Sequence, residues 1–190
     1  MHAPGGLAEY MLCRAATLVP VPDHLAPDVA VFAEPVAVAV RALSKADELR
    51  GATVVVVGAG VVGSLLVQVA RAEFGTLSNH SVFLEVPSTA GMPDGLTVDD
   101  DGCVWVALWG GGAIHRYTPR GELDRRIELP VSQVTSMCFM GPDLRTLAIT
   151  SARHGLDEAA LEREPLAGSV FSVDAGGSGA AANPWRPLKG

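Results

Sequence analysis

Apolar and polar residues follow two different patterns along this chain, and the change comes near residue 75. Before that point, apolar residues recur at helical spacing, as in Val29, Phe32, Val36, Val40 and Leu43. After it, short apolar runs alternate with turns rich in Gly, Pro and Asp, which is typical of antiparallel β-structure. The pattern predicts two domains of different architecture, at residues 1–74 and 75–190.

The first domain contains a predicted strand, a glycine-rich turn and a helix in direct succession. Thr53–Val57 is an uninterrupted β-branched run, typical of a strand buried on both faces of a parallel sheet. Gly58, Gly60 and Gly63 lie in the turn, and residues 64–74 are predicted to form a helix. Such a turn lets the backbone approach a pyrophosphate at the helix N-terminus, so the three glycines are candidate NAD(P) contacts. The alternative is a tight turn that packs helix on strand and binds nothing.

A dinucleotide-binding fold would continue into a second strand with an acidic residue about 20 positions on. Val82–Val86 is a candidate for this strand, with Glu85 as the acidic residue. No helix with apolar periodicity follows it, so the alternation of strand and helix stops after one unit. The first domain is therefore predicted to be a truncated α/β fragment with one Rossmann-like βα unit.

Stretches within about residues 4–73 resemble the middle of a medium-chain, zinc-dependent alcohol or polyol dehydrogenase: GGLAEYMLCRAATLVPVPD, AEPVAVAVRAL and GATVVVVGAGVVGSLLVQVARA. The resemblance implies an NAD(P) cofactor and places Glu34 beside the catalytic zinc. The other zinc ligands of that family have no counterpart here, and Cys13 has no partner at a useful spacing. One carboxylate cannot hold zinc, so helix N-terminal charge or solvation is the alternative role for Glu34.

A hairpin between Gly91 and Trp109 stands near the start of the second domain. A Pro-Asp-Gly corner at Asp94 precedes a predicted strand, Leu96–Val98. The acidic turn Asp99–Gly102 then leads into a second strand, Val104–Trp109. The hairpin is expected to hold the carboxylate of Asp94 at its mouth, and the acidic turn is expected to be a charged hairpin turn rather than a source of metal ligands.

Further short strands continue this pattern to residue 173, at Ala113–Tyr117, Ile127–Leu129, Ser136–Phe139, Leu147–Thr150 and Ser169–Val173. Alignment of Leu96 with Met137 gives an offset of 41 residues. A period of about 40–50 residues with four strands per unit is typical of propeller blades. Trp105 and Trp109 are expected to pack between such blades.

This second domain resembles the senescence-marker-protein, gluconolactonase and luciferin-regenerating-enzyme (regucalcin-like) family. Two adjoining stretches carry the resemblance: SNHSVFLEVPSTAGMPDGLTVDDDGCVWVALWGGGAIHRYTPRGELDRRIELPV and QVTSMCFMGPDLRTLAITSARHGLDEAALEREPLAGSVFSVDAGGSG. It implies a six-bladed β-propeller that hydrolyses sugar lactones with one divalent metal, which is calcium, magnesium, manganese or zinc. Asp94 corresponds to a metal ligand of that family and is the candidate catalytic residue. The other family ligands have no counterpart here.

The overall prediction is a mainly β chain. A partial six-bladed propeller of about three blades follows a truncated dehydrogenase fragment, as in a chimera of two truncated folds. The predicted function is that of a metal-dependent sugar-lactone hydrolase impaired by loss of the first half of its propeller. The alternatives are an NAD(P)-binding remnant of a dehydrogenase and a non-catalytic fusion product, so turnover is left open.

The composition indicates which partners and which cellular compartment are expected. A net charge of −7 disfavours nucleic acid and anionic membrane surfaces. No apolar run reaches the roughly 20 residues of a membrane span, and no signal peptide is evident. The three cysteines are widely spaced and are expected to be small buried hydrophobes in a cytoplasmic protein. Open edges of a partial propeller are expected to favour self-association.

The histidines show no spacing that indicates a shared site. His80, His115 and His154 are scattered along the second domain, and none has a partner at metal-ligand or catalytic spacing. They are therefore expected to be exposed or to take part in ordinary hydrogen bonds, and none is assigned to catalysis.

Overall fold

The structure, a computed structural model, describes residues 13–46, 49, 51–58, 60–75, 77–78 and 81–180. The chain divides into two compact units, Met1–Leu77 and Ser78–Gly190. None of the helices in the described residues is long and apolar enough to cross a membrane.

The regular elements described in the first unit are all helical. It contains a 3-10 turn at Ala15–Thr17 and the helices α1 (Pro27–Ala30), α2 (Ala33–Leu43) and α3 (Val61–Phe74). Helix α2 contacts α3. One alanine is buried in each of these two helices, Ala39 in α2 and Ala70 in α3. Side chains of this size allow two helix backbones to approach closely.

The strand predicted before the glycine turn is not formed. Residues 52–58 carry no strand, and Val54 and Val56 are 52% and 37% exposed. The prediction of a doubly buried strand is therefore wrong. An apolar β-branched run becomes a strand only when a neighbouring strand pairs with it, and the described residues of this unit contain none. The helix predicted at 64–74 is confirmed and begins at Val61.

The second unit is mainly β and antiparallel, as predicted. Strands β1 (Met92–Val98), β2 (Val104–Trp109), β3 (Ala113–Tyr117) and β4 (Leu123–Glu128) form one sheet in sequence order. Strands β5 (Val134–Met140), β6 (Thr146–Ser151) and β7 (Val170–Asp174) form a second sheet. A 3-10 turn, Ser88–Ala90, precedes β1, and helix α4 (Glu158–Arg163) lies between β6 and β7.

The two sheets repeat with a period one residue longer than the sequence alignment predicted. Met92 at the start of β1 corresponds to Val134 at the start of β5, and Val104 of β2 to Thr146 of β6, an offset of 42 residues. An alignment that is wrong by one residue assigns every side chain of a strand to the opposite face of the sheet. The described residues form two such sheets, not the predicted number of about three blades.

The main core lies between the two sheets. Trp105 from β2 is 1% exposed and meets Phe139 from β5 edge to face, with ring centroids 6.2 Å apart and planes at 87°. Leu147 and Ile149 from β6 join the same cluster, each at most 1% exposed. An aromatic pair of this kind is worth about 0.5–1.5 kcal/mol beyond its buried area. Trp105, which was expected to pack between blades, thus packs between the two sheets.

The opposite face of the first sheet is covered by a segment that was predicted to be a Rossmann strand. Residues 81–87 carry no strand. Instead, Phe83, Leu84 and Val86 pack against a cluster of buried β2 and β3 side chains that includes Val106. Glu85 of this segment is exposed. The prediction of a ribose-binding strand at this position is therefore wrong, because its apolar residues are used to cover the sheet.

A buried carboxylate stabilises the β1–β2 turn. Asp99 is 6% exposed and accepts hydrogen bonds from Trp105 Nε1 at 2.8 Å and from Arg116 Nε at 2.7 Å. It also accepts from the backbone N–H groups of Asp101 and Cys103. Burial by itself would raise the pKa of the Asp99 carboxyl, but these hydrogen bonds hold that pKa below its usual value.

Arg116 connects this carboxylate to the turn and to β4. Its guanidinium donates to Asp101 at 2.8 Å and to Asp124 at 2.6 Å, in addition to Asp99. The guanidinium also lies 5.7 Å from the centre of the Trp105 ring. The carboxylate, the guanidinium and the indole therefore hold β1, β2, β3 and β4 together at one end of the first sheet.

The cysteines differ from one another in environment. Cys103 is buried beside the acidic turn, as predicted, and burial raises the pKa of its thiol. Cys13 and Cys138 are exposed, so the prediction of three buried hydrophobes is wrong for these two. Cys138 is exposed because it lies between the buried residues Met137 and Phe139 on a strand, and successive side chains point to opposite faces.

We expect Asp99→Asn to lower the free energy of unfolding by about 3 kcal/mol, the lower end of the range for breaking a buried ion pair. The reason is that the variant removes the charge that the part-buried Arg116 guanidinium contacts, while Asp101 and Asp124 keep their contacts. Urea unfolding followed by circular dichroism measures the change. Glu122→Gln, at an exposed position, is the control, with an expected change within about 0.5 kcal/mol.

The pH dependence of the difference in unfolding free energy between wild type and Asp99→Asn tests whether the ionised carboxylate causes that difference. Folding lowers the pKa of Asp99. The ionised carboxylate therefore contributes fully to the free energy of unfolding above the ordinary pKa of 3.8, and this contribution is lost as the pH falls below 3.8. The difference between wild type and Asp99→Asn should therefore shrink progressively over the range below about pH 4. A difference that stays constant over this range would mean that the ionised carboxylate is not its source.

Candidate functional site

Asp94 lies near the start of β1 and is exposed. The β1–β2 register shifts between Pro93 and Leu96, so Asp94 and Gly95 lie at a β-bulge. Bulges change the direction of a side chain and are common beside active sites. The predicted hairpin is thus formed, with its candidate carboxylate on an irregular, solvent-accessible part of the edge strand.

Gly95 lets β1 pack closely on the second sheet at this point. A Cβ atom added at Gly95 would lie 2.7 Å from Cα of Ser136 on β5 and would also overlap the Ser136 side chain. Strand β1 contacts β5. The Pro-Asp-Gly corner therefore has a structural reason for its glycine, and the residue beside it is Asp94.

The described residues do not complete a divalent metal centre around Asp94. Among the residues that the structure describes, no group of three or more Asp, Glu, His or Cys side chains could hold a metal ion. Calcium takes about six to eight oxygen ligands, and magnesium requires near-octahedral coordination. One exposed carboxylate does not meet either requirement.

The acidic turn does not supply the missing ligands. Asp99 and Asp101 bind Arg116, and Asp100 accepts a hydrogen bond from Ser178 Oγ at 2.7 Å. The turn follows the last residue of β1, whereas Asp94 is near its first. The predicted charged hairpin turn is formed, and its carboxylates bind Arg116 and Ser178.

The glycines proposed for NAD(P) lie at the start of α3. Gly58 has φ of +96°, Gly60 is the N-cap residue, and Gly63 is in the first turn of the helix. A Cβ atom at Gly63 would collide with the carbonyl oxygen of Gly58. Close packing against Gly58 is therefore a sufficient reason for a glycine at position 63, without a bound nucleotide. Glu34 is exposed in the first turn of α2, where its charge is favourable to the helix dipole.

The two described histidines of the second unit, His115 and His154, differ in burial and in their contacts. His115 is 6% exposed, and its Nδ1 lies 2.9 Å from the Tyr117 hydroxyl. Burial, with a contribution from Arg126, lowers the pKa of His115. His154 is exposed, and its backbone carbonyl accepts from Gln133 Nε2. His80 lies outside the described residues.

A shallow cleft of about 340 Å³, widely open to solvent, lies on the surface of the second unit. It is lined by Gly110–Gly112, Leu129–Ser132 and Glu164. In sequence the Gly110–Gly112 triplet predicts a turn, and it carries no signal for a cleft. Ser132 and Glu164 are 32 positions apart in sequence, so their contact depends on the tertiary fold.

Comparison with known proteins identifies the family. A family model described as "SMP-30/Gluconolactonase/LRE-like region" matches residues 59–153, which is half of the chain. The chain belongs to this family. The predicted resemblance of the second domain is thereby confirmed.

Similar proteins include regucalcins and a lactonase. Regucalcin of Danio rerio is 40% identical over 100 residues, covering 52% of this chain and 34% of the relative. Pentonolactonase XacC of Haloferax volcanii is 39% identical over 111 residues, covering 56% of this chain and 38% of the relative. The chain therefore spans just over a third of the length of these curated relatives.

Among solved structures, a calcium-binding protein, regucalcin, of Agrobacterium tumefaciens is similar to this chain. It has 37% sequence identity and a TM-score of 0.49, and the match covers 54% of this chain and 35% of that one. These comparisons do not support the dehydrogenase resemblance at residues 4–73, nor the chimera inferred from it. Both stay predictions.

We expect Gly95→Ala to lower the free energy of unfolding by about 1–3 kcal/mol, because the added methyl group overlaps Ser136 and forces β1 away from β5. Urea unfolding measures the change. Gly177→Ala is the matched control, since no atom lies within 4 Å of a Cβ at that position. Ser136→Gly in the Gly95→Ala background should restore part of the loss. Equal stability of both single variants would contradict the close packing.

Proposed function

We propose that this family member acts on sugar lactones, with Asp94 as a residue of the reacting site. The observation that carries the proposal is an exposed carboxylate on the β1 bulge of a chain in the gluconolactonase-like family. Similarity to a pentonolactonase supports this substrate class. The two antiparallel sheets are proposed to be adjacent blades of a propeller.

The proposed reaction is hydrolysis of the ring ester. Water adds to the lactone carbonyl carbon, the ring C–O bond breaks, and a proton reaches the leaving alkoxide to give a hydroxy acid. A carboxylate within hydrogen-bond distance of the attacking water can accept its proton. Asp94 is the described residue proposed for this role, because its side chain is exposed to solvent on an edge strand.

Weak turnover is part of the proposal. Divalent metal chemistry of the family type needs several oxygen ligands, and the described residues bring no such group together. Further ligands would come from residues other than those described or from a second chain. Exposed apolar side chains on the edge strands β1 and β7, Met92 at 65% and Val170 at 69%, support the proposed self-association.

We expect Asp94→Asn to reduce hydrolysis of D-xylono-1,4-lactone to the uncatalysed rate. The amide cannot accept a proton and is a weaker ligand for hard cations. Release of acid from the lactone, followed with a pH indicator in the presence of calcium, magnesium or manganese, measures the rate. Asp143→Asn, at an exposed turn, is the control and should keep the wild-type rate. No wild-type hydrolysis with any of these metals would overturn the proposal.

The dehydrogenase alternative has less support. Of its predicted βα unit, the helix α3 is formed and the preceding strand is not. Because packing alone accounts for Gly63, we expect fluorescence titration with NADH to show no saturable binding up to millimolar concentration. Saturable binding that is weakened by Gly60→Val would favour the alternative.

A further inference from the structure

The residue of the second sheet that corresponds to Asp94 is Ser136. The 42-residue repeat of the two sheets aligns Asp94 on β1 with Ser136 on β5. Strand β1 has a bulge at Asp94 and Gly95, and the register of β5 with β6 shifts between Val134 and Ser136. Both sheets therefore begin with a strand whose ladder is interrupted at the equivalent place, and such irregularities are common beside active sites.

Ser136 also lies close to Asp94 in the fold. A Cβ atom at Gly95 would lie 2.7 Å from Cα of Ser136 and would overlap the Ser136 hydroxyl, so this hydroxyl points toward the residue beside Asp94. With a carbon–carbon bond of about 1.5 Å, the Cα atoms of Gly95 and Ser136 are at most about 4.2 Å apart. Consecutive Cα atoms are about 3.8 Å apart, which places Cα of Ser136 at most about 8 Å from Cα of Asp94. A small sugar lactone held against the Asp94 carboxylate therefore has hydroxyl groups within reach of Ser136.

The side-chain hydroxyl of Ser136 is available to a ligand. Ser136 is half-buried, and its hydroxyl makes no hydrogen bond to any residue that the structure describes. The neighbouring hydroxyls differ in this respect, because Thr135 Oγ1 lies 2.7 Å from Thr150 Oγ1. The Thr150 hydroxyl also donates to the backbone carbonyl of Ser136 at 3.4 Å. The two threonines therefore bond to each other, whereas Ser136 retains a donor and an acceptor beside the proposed reacting site.

We propose that Ser136 is a substrate-binding residue of this site, where its hydroxyl forms a hydrogen bond with a hydroxyl group of the lactone. The choice of a lactone rests on the proposed function, whereas the position of Ser136 beside Asp94 rests on the packing of β1 on β5. The alternative is that Ser136 is small only because Gly95 packs against it. Alanine has the same small size but lacks the oxygen, so Ser136→Ala removes the hydrogen bond and keeps the packing.

Steady-state kinetics with two lactones tests this role. Ser136→Ala should raise KM for D-xylono-1,4-lactone about threefold to tenfold and change kcat less than about twofold, because a neutral hydrogen bond to the bound substrate is lost. The KM for γ-butyrolactone, which has the same ring without hydroxyl groups, should stay at the wild-type value. Ser172→Ala, at an exposed position on β7 of the same sheet, is the control and should leave both KM values unchanged.

A second measurement does not depend on turnover. The 1,4-lactam analogue of D-xylono-1,4-lactone has an N–H group in place of the ring oxygen, and its amide bond is not hydrolysed during a titration. Nuclear magnetic resonance titration of the full chain with this lactam should shift the amide signals of Gly95 and Ser136. Ser136→Ala should raise the Kd about threefold to tenfold, and Ser172→Ala should bind like wild type. For 2-pyrrolidinone, the lactam without hydroxyl groups, wild type and Ser136→Ala should not differ.

The outcomes distinguish the role of Ser136 from the proposed function. Hydrolysis by wild type with an unchanged KM in Ser136→Ala would overturn the role of Ser136 and leave the proposed function standing. Lactam binding that depends on Ser136, in a chain that hydrolyses neither lactone, would support the binding role and overturn the proposed function. An equal loss with D-xylono-1,4-lactone and γ-butyrolactone would overturn the binding role, because it would mean that the substitution acts through the packing of β1 on β5.

Discussion

The hydrogen-bonded pair of Asp99 and Arg116 is the interaction on which the first sheet depends. A carboxylate with so little exposure is tolerated only when its oxygens are fully bonded, and Asp99 accepts four hydrogen bonds. One of its donors, Trp105, is also a central residue of the core between the sheets. The charge network and the apolar core therefore position the same indole ring, and a change in either affects the other.

This arrangement stabilises one end of the β1–β2 hairpin and leaves the reacting site that we propose at the other. At the Asp99 end, side-chain and backbone hydrogen bonds close the turn, and residue 178 adds a backbone contact to Asp100. At the other end, the bulge at Asp94 and Gly95 interrupts the ladder, and the Asp94 side chain is exposed. Polar groups are satisfied where the sheet is stabilised and left available where we propose that a ligand binds.

The local pattern of apolar and turn residues predicts the structure correctly wherever each strand pairs with the next one along the chain. The hairpin at Gly91–Trp109 and strand β3 were predicted from alternation and turn residues, and both are observed. Prediction was poorer at Thr53–Val57 and Val82–Val86, two apolar runs of the same appearance. An apolar run is stable either as a paired strand or as a cover for another surface, and its own composition does not distinguish the two.

The sequence by itself determined the family, the antiparallel hairpins and the place of Asp94 in a Pro-Asp-Gly corner. Each of these depends on residues that are close together in the chain or on a recognisable order of motifs. Only the tertiary structure decided that Asp99 is buried against Arg116, that the sheets repeat every 42 residues, and that Glu164 meets Ser132 at a cleft. The physical reason is that burial and side-chain partners are set by which distant strands pack together, and a hydrogen bond between residues far apart in sequence has no local signature.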